Sequence, residues 1–105
     1  MYPPTYFTRD CPERRALDLV SERWTGPVIL TLSHGPLRYN ALRRALPGVS
    51  QRMLTRAVRR LQEEGLVLRE EERTVPPKVT YSLTRTGQSF KPVLEHVAAW
   101  GREHF

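Results

Sequence analysis

The apolar positions between Ser50 and Gly65 recur at the spacing of an amphipathic helix. One face of this stretch carries Leu54, Ala57, Val58 and Leu61. Ser50 belongs to the residue types that cap helix N-termini, because its hydroxyl accepts an N–H that otherwise has no partner. Gly65 can take the left-handed conformation that ends a helix. The pattern therefore predicts a helix from 50 to 65 whose apolar face packs on a core.

Residues 1–32 change from an aperiodic arm to two predicted helices. The segment 1–10 contains two prolines and three aromatics without a helical or strand period, so we expect an extended arm. Pro12 is tolerated in a first helical turn, which places Cys11 at or next to the N-cap of the first helix. The apolar stripe of that helix is predicted to be Ala16, Leu17 and Val20. Residues 24–32 read as a short, buried second helix after a turn at Thr25 and Gly26.

A pair of helices joined by a short turn is predicted in the middle of the chain. After a short strand over 37–39, Asn40 is placed to cap a helix that runs to Leu46. Residues 47–49 (PGV) then form the turn into the next helix. Two helices joined by about four residues with a glycine, the second carrying a polar face, are typical of a helix-turn-helix, here over residues 40–64.

A hairpin is predicted after these two helices. Residues 66–71 and 79–83 are rich in strand formers and are predicted to be its two strands. The segment 72–78 between them contains a proline pair that stiffens the hairpin tip. This hairpin, over residues 66–83, is the predicted wing.

The last stretch, 84–105, is predicted to be a helix capped by Thr84. Pro92 lacks an N–H and is expected to kink it, while Gly87 and Gly101 permit close approach of another backbone. Its apolar face carries Phe90, Val93, Leu94, Val97 and Trp100. Because a stripe of this length exceeds what a small core covers, we assign it to a subunit interface.

These elements predict a mainly α fold with a small β-hairpin, a winged helix-turn-helix, in a single domain over residues 1–105. The arm and first helix (1–22) are expected to join the dimerisation helix (84–105) in a dimer interface. A chain of 105 residues builds only a small core and often completes its burial by pairing with a copy of itself. The predicted interface residues are Tyr6, Phe7, Leu17, Phe90, Val93, Leu94, Val97 and Trp100.

Arginines without acidic neighbours occupy the centre of the sequence. From Arg23 to Gln62 there are eight arginines and no Asp or Glu, so all eleven acids lie outside this stretch. The whole chain has a formal net charge of +6 and a pI near 10.2. A solvated helix face normally mixes both signs of charge. The one-sided basic patch therefore indicates a polyanion as partner.

Double-stranded DNA is the expected partner of the helix, because Arg and Gln side chains bond bidentately to purine edges. A merely solvated basic helix is the alternative, which the exclusion of acids disfavours. The three glutamates at 70–72 would repel DNA unless they point away or pair with Arg69 and Arg73. The predicted DNA contacts are Arg38, Arg43, Arg44, Ser50, Gln51, Arg52, Thr55, Arg56, Arg59, Arg73 and Lys78.

Cys11 is the one cysteine, which excludes an internal disulfide. At a helix N-terminus its thiol would face the positive end of the macrodipole, with Arg14 and Arg15 close in sequence. Both features favour a reactive thiolate, whereas Glu13 opposes it. The alternative is a half-buried small apolar residue without a sensing role.

Several function classes are excluded by what the sequence lacks. It shows no carboxylate pair, nucleophile with a base, Gly-rich phosphate loop or metal-ligand cluster, so we expect no enzyme activity, cofactor or metal. His34 has no second ligand at suitable spacing and is expected to be exposed or to cap a helix, and His96 and His104 to lie at the surface or interface. Because no apolar run approaches the roughly 20 residues that cross a bilayer, we expect a cytoplasmic protein without membrane partner.

A series of motifs runs in order over residues 11–105. They are CP (11–12), ALDLV (16–20), RW (23–24), GPLRYN (35–40), LRR (42–44), LPGVSQRMLT (46–55), EGLV (64–67), VPPKV (75–79), YSLT (81–84) and WG (100–101). In this order the chain resembles the HxlR-type winged helix-turn-helix regulators, a bacterial and archaeal family near the MarR group. Two departures are Thr80, where the family usually has an acidic residue, and the acidic wing stem at 70–72.

The resemblance implies a homodimer that binds an inverted-repeat operator. Residues 50–62 would lie in the major groove, and the wing tip at 72–78 on the backbone or minor groove. In several such proteins the cysteine near the N-terminus, matched here by Cys11, senses oxidants or electrophiles.

The sequence thus predicts a DNA-binding transcriptional regulator with an electrophile, an oxidant or another small molecule as effector. A winged helix that binds nucleic acid without sequence specificity, or a protein adaptor without a sensing role, is the alternative. A further candidate effector site is an aromatic-lined pocket between Tyr2, Tyr6, Phe7, Trp24 and Trp100 of the partner subunit.

Overall fold

The computed structural model describes residues 11–105, which form five helices and three strands. The elements are α1 (Pro12–Ser21), α2 (Thr25–Leu32), β1 (Leu37–Arg38), α3 (Tyr39–Arg44), α4 (Gln51–Glu63), β2 (Val67–Glu72), β3 (Lys78–Leu83) and α5 (Arg85–His104). This order, with its small antiparallel sheet, confirms the predicted winged helix-turn-helix fold. The predicted arm, with the predicted interface residues Tyr6 and Phe7, lies outside the described residues.

The first helix begins as predicted but packs on a different face. Cys11 is its N-cap, with Sγ accepting a first-turn N–H at 3.4 Å, and Pro12 is its first residue. The predicted apolar stripe is confirmed for Val20, which packs against the core, and is wrong for Ala16 and Leu17, which are exposed; the buried residue of α1 is Leu19. Since α1 packs mainly on α2, only the narrow face that contains Leu19 is covered.

The second helix lies at the centre of the core. Its fully enclosed apolar residues are Val28, Ile29 and Leu32. Thr25 is also buried, and its hydroxyl donates to the Leu19 carbonyl at 2.6 Å, which satisfies the polar group and ties α2 to α1. The helix begins at Thr25 with Trp24 as its N-cap, so the predicted turn at Thr25 and Gly26 is wrong: both residues belong to the helix, and the turn lies at Arg23 and Trp24.

The boundaries of α3 differ from the predicted ones. Its N-cap is Arg38 instead of Asn40, and the helix starts at Tyr39. The predicted strand is shorter because only its first two residues pair with β3, so the chain turns into α3 directly after Arg38. The helix ends at Arg44, where the chain tightens into a 3₁₀-type turn before the predicted end.

Helix α4 begins and ends where the sequence predicts. The Ser50 hydroxyl accepts the Met53 N–H at 3.1 Å, and Gly65 has a φ of 78°, so both predicted ends are confirmed. The predicted apolar face is also confirmed. It consists of Leu54, Ala57, Val58 and Leu61, which are all buried.

The sheet places the wing beside the helix-turn-helix. Its strand order is β1-β3-β2, with both pairs antiparallel. The wing strands pair from Val67 opposite Leu83 to Glu72 opposite Lys78, which is within a residue of the predicted bounds. Because β1 leads directly into α3, its pairing with β3 joins the base of the wing to the first helix of the helix-turn-helix.

The last helix is fastened to the protomer at its start and its middle. The Thr84 hydroxyl donates to the Gly65 carbonyl at 2.6 Å and accepts the Gly87 N–H at 3.1 Å, which confirms the predicted cap. Leu94 is buried, and its Cδ2 lies 3.4 Å from where a Cβ on Gly26 would stand. The prediction that Leu94 lies in the dimer interface is therefore wrong, because it packs on α2 within the protomer.

The two glycines of α5 differ in how closely other atoms approach them. Both were predicted to permit close approach. A Cβ on Gly87 would overlap the Leu66 carbonyl oxygen and stand 3.3 Å from the Leu83 Cβ. At Gly101 no described atom lies within 4 Å of the Cβ position. Close packing at Gly87 is therefore confirmed within the protomer, and for Gly101 a close approach of a second subunit stays a prediction.

Candidate nucleic-acid interface

The exposed side of α4 is basic from Arg52 to Arg59, and Glu63 at its C-terminal end borders the same groove. Gln51, Arg52, Arg56 and Arg59 are all exposed and lie opposite the buried apolar face. With helical spacing, Arg52, Arg56 and Arg59 follow one another along a single side of the helix. Within the described part of the chain, none of these three guanidinium groups forms an ion pair. Three uncompensated charges therefore face solvent along this surface.

A second basic group lies beside the start of α4. Arg43 and Arg44 end α3 and are exposed, and they border the same surface groove as the turn residues Pro47 and Gly48. Arg38, the N-cap of α3, is also exposed. The predicted contacts of α3 and α4 therefore lie on both sides of the turn that joins the two helices.

Acidic side chains from outside the acid-free stretch lie close to Arg60 in the fold. Its Nε lies 3.3 Å from a Glu22 carboxylate oxygen, and its Nη1 lies 3.3 Å from a Glu64 carboxylate oxygen. Glu64 in turn bonds Arg15 of α1 at 3.2 Å. These pairs compensate the charge of Arg60 and connect α1 to the C-terminal half of α4.

Tyr39 is a residue of this surface that sequence reasoning did not select. Its hydroxyl lies 3.1 Å from the Gln51 carbonyl oxygen and 3.2 Å from the Thr55 Oγ1. Thr55, a predicted DNA contact, is therefore half-buried and engaged with a neighbour. The signal in the sequence was a hydroxyl-bearing ring at the junction of a strand and a helix, which gives no indication of its partners.

The wing carries its two predicted contacts at the tip. Arg73 follows β2, and Lys78 begins β3 opposite Glu72, and both are exposed. In the stem, Glu71 pairs with Arg69 at 3.4 Å. The pKa of Arg69 is raised above its usual value, mainly by a hydrogen bond with the Tyr81 side chain and to a smaller extent by Glu71.

The other two stem glutamates follow the alternation of the strand. Because side chains alternate along β2, Glu70 and Glu72 lie on the opposite face from the buried Val67. Glu71 is the one glutamate that shares the face of Val67, and it is paired. The stem is therefore less acidic toward α4 than its sequence indicates.

A family model described as HxlR-like helix-turn-helix matches residues 19–105. The chain belongs to this family. Among curated relatives, the HTH-type transcriptional regulator YdeP of Bacillus subtilis is 39% identical over 94 residues, which cover 90% of this chain and 73% of YdeP. The family assignment therefore rests on most of the chain, including both helices of the helix-turn-helix and the wing.

Solved structures extend the likeness of this HxlR-like chain to its fold. A MarR-family transcriptional regulator of Porphyromonas gingivalis W83 superposes with a TM-score of 0.84 at 33% identity, covering 93% of this chain and 96% of that one. The redox regulator HypR in its oxidised form gives a TM-score of 0.80 at 38% identity, covering 90% and 98%. The protein is a transcriptional regulator of the HxlR/MarR type and not an enzyme, as the sequence predicted.

The HxlR-like chain has a second notable surface, which is apolar. Leu17 of α1 and Trp100 of α5 are each 55% exposed, and Val93 and Val97 are exposed as well. The Trp100 ring stacks on His104 at 4.4 Å between ring centroids. Phe90, in contrast, is half-buried and packs against the core. Four of the predicted interface residues therefore present apolar surface to solvent in the protomer.

The remaining candidate groups of the HxlR-like chain are a thiol and imidazoles. Cys11 is half-buried at the start of α1, and His34 and His96 are exposed. Among residues 11–105, no three His, Cys, Asp or Glu side chains stand together as metal ligands would. None of the helices in that range combines the length and the apolar character needed to span a membrane.

Proposed function

We propose that the protein acts as a homodimer that binds an inverted-repeat operator in double-stranded DNA. The observation that carries the proposal is the row of uncompensated arginines at 52, 56 and 59 on the exposed side of α4. Arginine bonds bidentately to guanine O6 and N7, and Gln51 has the amide that pairs with adenine. With α4 in the major groove, Arg43, Arg44 and Ser50 would lie near the phosphates and fix the register.

The wing would contact the same duplex beside α4. Arg73 and Lys78 at its tip are the candidate phosphate contacts on the backbone or in the minor groove. Arg38, the N-cap of α3 next to the wing base, is a further candidate contact outside α4. These contacts carry no sequence information, so base selection is assigned to α4.

The dimer is proposed to form through α1 and α5. Leu17, Val93, Val97 and Trp100 are exposed large apolar residues on these two helices. A second copy of the chain is the occupant that the proposed operator symmetry requires, because the two halves of an inverted repeat need two equivalent recognition helices. Phe90 borders this surface and completes the proposed interface, while Leu94 is left to the core.

The direct test is selection of bound sequences from a randomised duplex pool at about physiological salt, where phosphate-only binding is weak. We expect enrichment of an inverted repeat with half-sites about one helical turn apart, roughly 34 Å. Enrichment of single half-sites would contradict the dimer. Recovery of no shared sequence would contradict the proposal and favour binding to nucleic acid without sequence specificity.

Cys11 is proposed to couple operator binding to an oxidant or electrophile. Its Sγ caps α1 by accepting the Arg14 N–H at 3.4 Å, and α1 also carries the exposed Leu17 of the proposed interface. HypR, a relative in structure, is a redox regulator. A group added to Sγ would remove the cap and add bulk at the start of α1. The predicted aromatic pocket includes residues outside those described, so the thiol is the effector site proposed.

Saturating alkylation of Cys11 with iodoacetamide is expected to lower operator affinity by roughly 5- to 150-fold, the usual range of coupling between sites. In this reaction the thiolate forms a C–S bond and iodide leaves. Fluorescence anisotropy on the selected operator measures the change. The matched control is Cys11→Ser, which keeps an acceptor at the cap and is expected to bind equally with and without iodoacetamide. Unchanged affinity of the alkylated wild type would contradict the coupling.

A further inference from the structure

We propose that the Tyr39 hydroxyl is a positioning group that determines base selectivity at the start of α4. This inference rests on the proposed function, since it concerns how α4 reads an operator. Tyr39 itself is not a DNA contact in this scheme. It acts through Gln51 and Thr55, two of the residues on the reading side of α4.

The hydrogen bonds of Tyr39 assign a direction to each hydroxyl. Tyr39 Oη donates its one proton to the Gln51 carbonyl oxygen at 3.1 Å. The contact with Thr55 Oγ1 at 3.2 Å then takes its proton from Thr55, because the Tyr39 proton is already committed. Thr55 therefore presents its methyl group and oxygen lone pairs to a duplex, and no donor.

That assignment limits which bases Thr55 can favour. A hydroxyl without a free proton accepts from the amino groups of adenine or cytosine, and its methyl group can pack on the thymine methyl. It offers nothing to the acceptors of guanine. The hydrogen bond to Tyr39 therefore reduces the set of bases that Thr55 can favour at the base pair it contacts.

The position of the Tyr39 hydroxyl is itself determined by the wing side of the protomer. The Tyr39 ring packs on the Tyr81 ring of β3, with centroids 6.4 Å apart and planes tilted by 54°. Tyr81 is buried and lies opposite Leu37 of β1 and Arg69 of β2 in the sheet. The ring thus stands between the wing base and the first turns of α4, on rigid elements that suit a positioning role.

The test is Tyr39→Phe, which keeps the ring and removes only the hydroxyl. Affinities are measured by anisotropy for the selected operator and for operators with each base pair of a half-site substituted. We expect the ratio of affinities to change by roughly 2- to 10-fold at the base pairs nearest Gln51 and Thr55, the size of one hydrogen bond. Ratios at the other base pairs, and the melting temperature, are expected to change little.

Two further variants separate positioning from a merely structural role. Tyr81→Phe removes a hydroxyl from the neighbouring ring, which has no hydrogen bond to α4 among those of the described residues, and is expected to keep the wild-type ratios. Thr55→Val removes the partner hydroxyl at nearly constant shape. In that background, Tyr39→Phe is expected to produce no further change at the base pair under Thr55.

Four results would overturn the inference. Tyr39→Phe with wild-type ratios would show that the hydroxyl does not affect selectivity, and an equal loss of affinity for every operator would assign it a structural role only. An undiminished effect of Tyr39→Phe in the Thr55→Val background would exclude action through Thr55. A wild type that selects no sequence would overturn the proposed function first and this inference with it, which distinguishes the two failures.

Discussion

Replacing Arg56 with alanine is expected to lower operator affinity by roughly 2 to 6 kcal/mol, because each subunit of the dimer loses one contact worth about 1 to 3 kcal/mol. Arg56 lies in the middle of the exposed side of α4, between Arg52 and Arg59, and has no ion pair within residues 11–105. Its charge is therefore available to a duplex without first breaking a bond.

Titrations at several salt concentrations show which kind of contact is lost. A contact to a base edge relaxes the preference at one position of each half-site. A contact to phosphate instead weakens binding to all sequences and lowers the slope of log affinity against log salt by about 2 for the dimer. Either outcome agrees with a role of Arg56 in binding DNA.

The matched control is Arg85→Ala, which removes the same charge from another exposed position. Arg85 begins α5 next to Thr84, whose hydroxyl bonds the Gly65 carbonyl at the C-terminal end of α4. It therefore lies beside the end of α4 remote from the Ser50 cap, and near wild-type affinity is expected. An equal loss in both variants would show that net charge, and not the α4 surface, determines binding.

Gly87→Ala is expected to lower the free energy of unfolding by roughly 2 to 4 kcal/mol, at or above the usual range for overpacking. A Cβ there would overlap the Leu66 carbonyl oxygen, whose position is constrained because it accepts the Thr84 N–H at 3.0 Å. Relief requires either that bond to break or the start of α5 to move away. Urea unfolding followed by circular dichroism measures the change.

Gly101→Ala is the control on the same helix. Its Cβ position has no described atom within 4 Å, so the substitution adds no clash in the protomer. Alanine is favoured over glycine inside a helix by about 1 kcal/mol, so the stability of this variant is expected to equal or exceed that of the wild type. If the free energies of unfolding of Gly87→Ala and Gly101→Ala differ by less than about 1 kcal/mol, the close approach of Gly87 to Leu66 does not constrain the fold.

The parts of the fold that could be predicted depend on local signals. The ends of α4 were predictable because a serine hydroxyl and a glycine with positive φ act within one helical turn. The wing was predictable for the same reason, since strand formers flank a proline-rich tip. The basic side of α4 followed from helical spacing once those ends were known.

The parts that could not be predicted depend on how elements rotate against one another. Leu94 belongs to the same apolar stripe as Val93 and Val97, and only the docking of α5 on α2 decides which of them is buried. For α1, the same rotation buries Leu19 and exposes Leu17. Periodicity identifies an apolar face but does not say which part of it meets the core.

Ion pairs and hydrogen bonds between residues far apart in the sequence could not be predicted either. Arg60 bonds Glu22 from 38 positions away, so an acid-free stretch of sequence did not predict its compensated charge. The partners of the Tyr39 hydroxyl, 12 and 16 positions further along, are set by the junction of β1 and α3. Neither pair has a local signal that sequence reasoning could have used.

The contacts around Gly65 fasten the end of α4 and the start of α5 at one point, through Thr84 and Gly87. Because these contacts join the end of α4 to the start of α5, a rotation of α5 in the proposed dimer would also tilt α4 about Gly65. Along the thirteen residues of α4, about 20 Å, a tilt of about 10° moves the far end by roughly 3 Å. That displacement equals the length of a hydrogen bond, so a small rearrangement between subunits would suffice to release the operator.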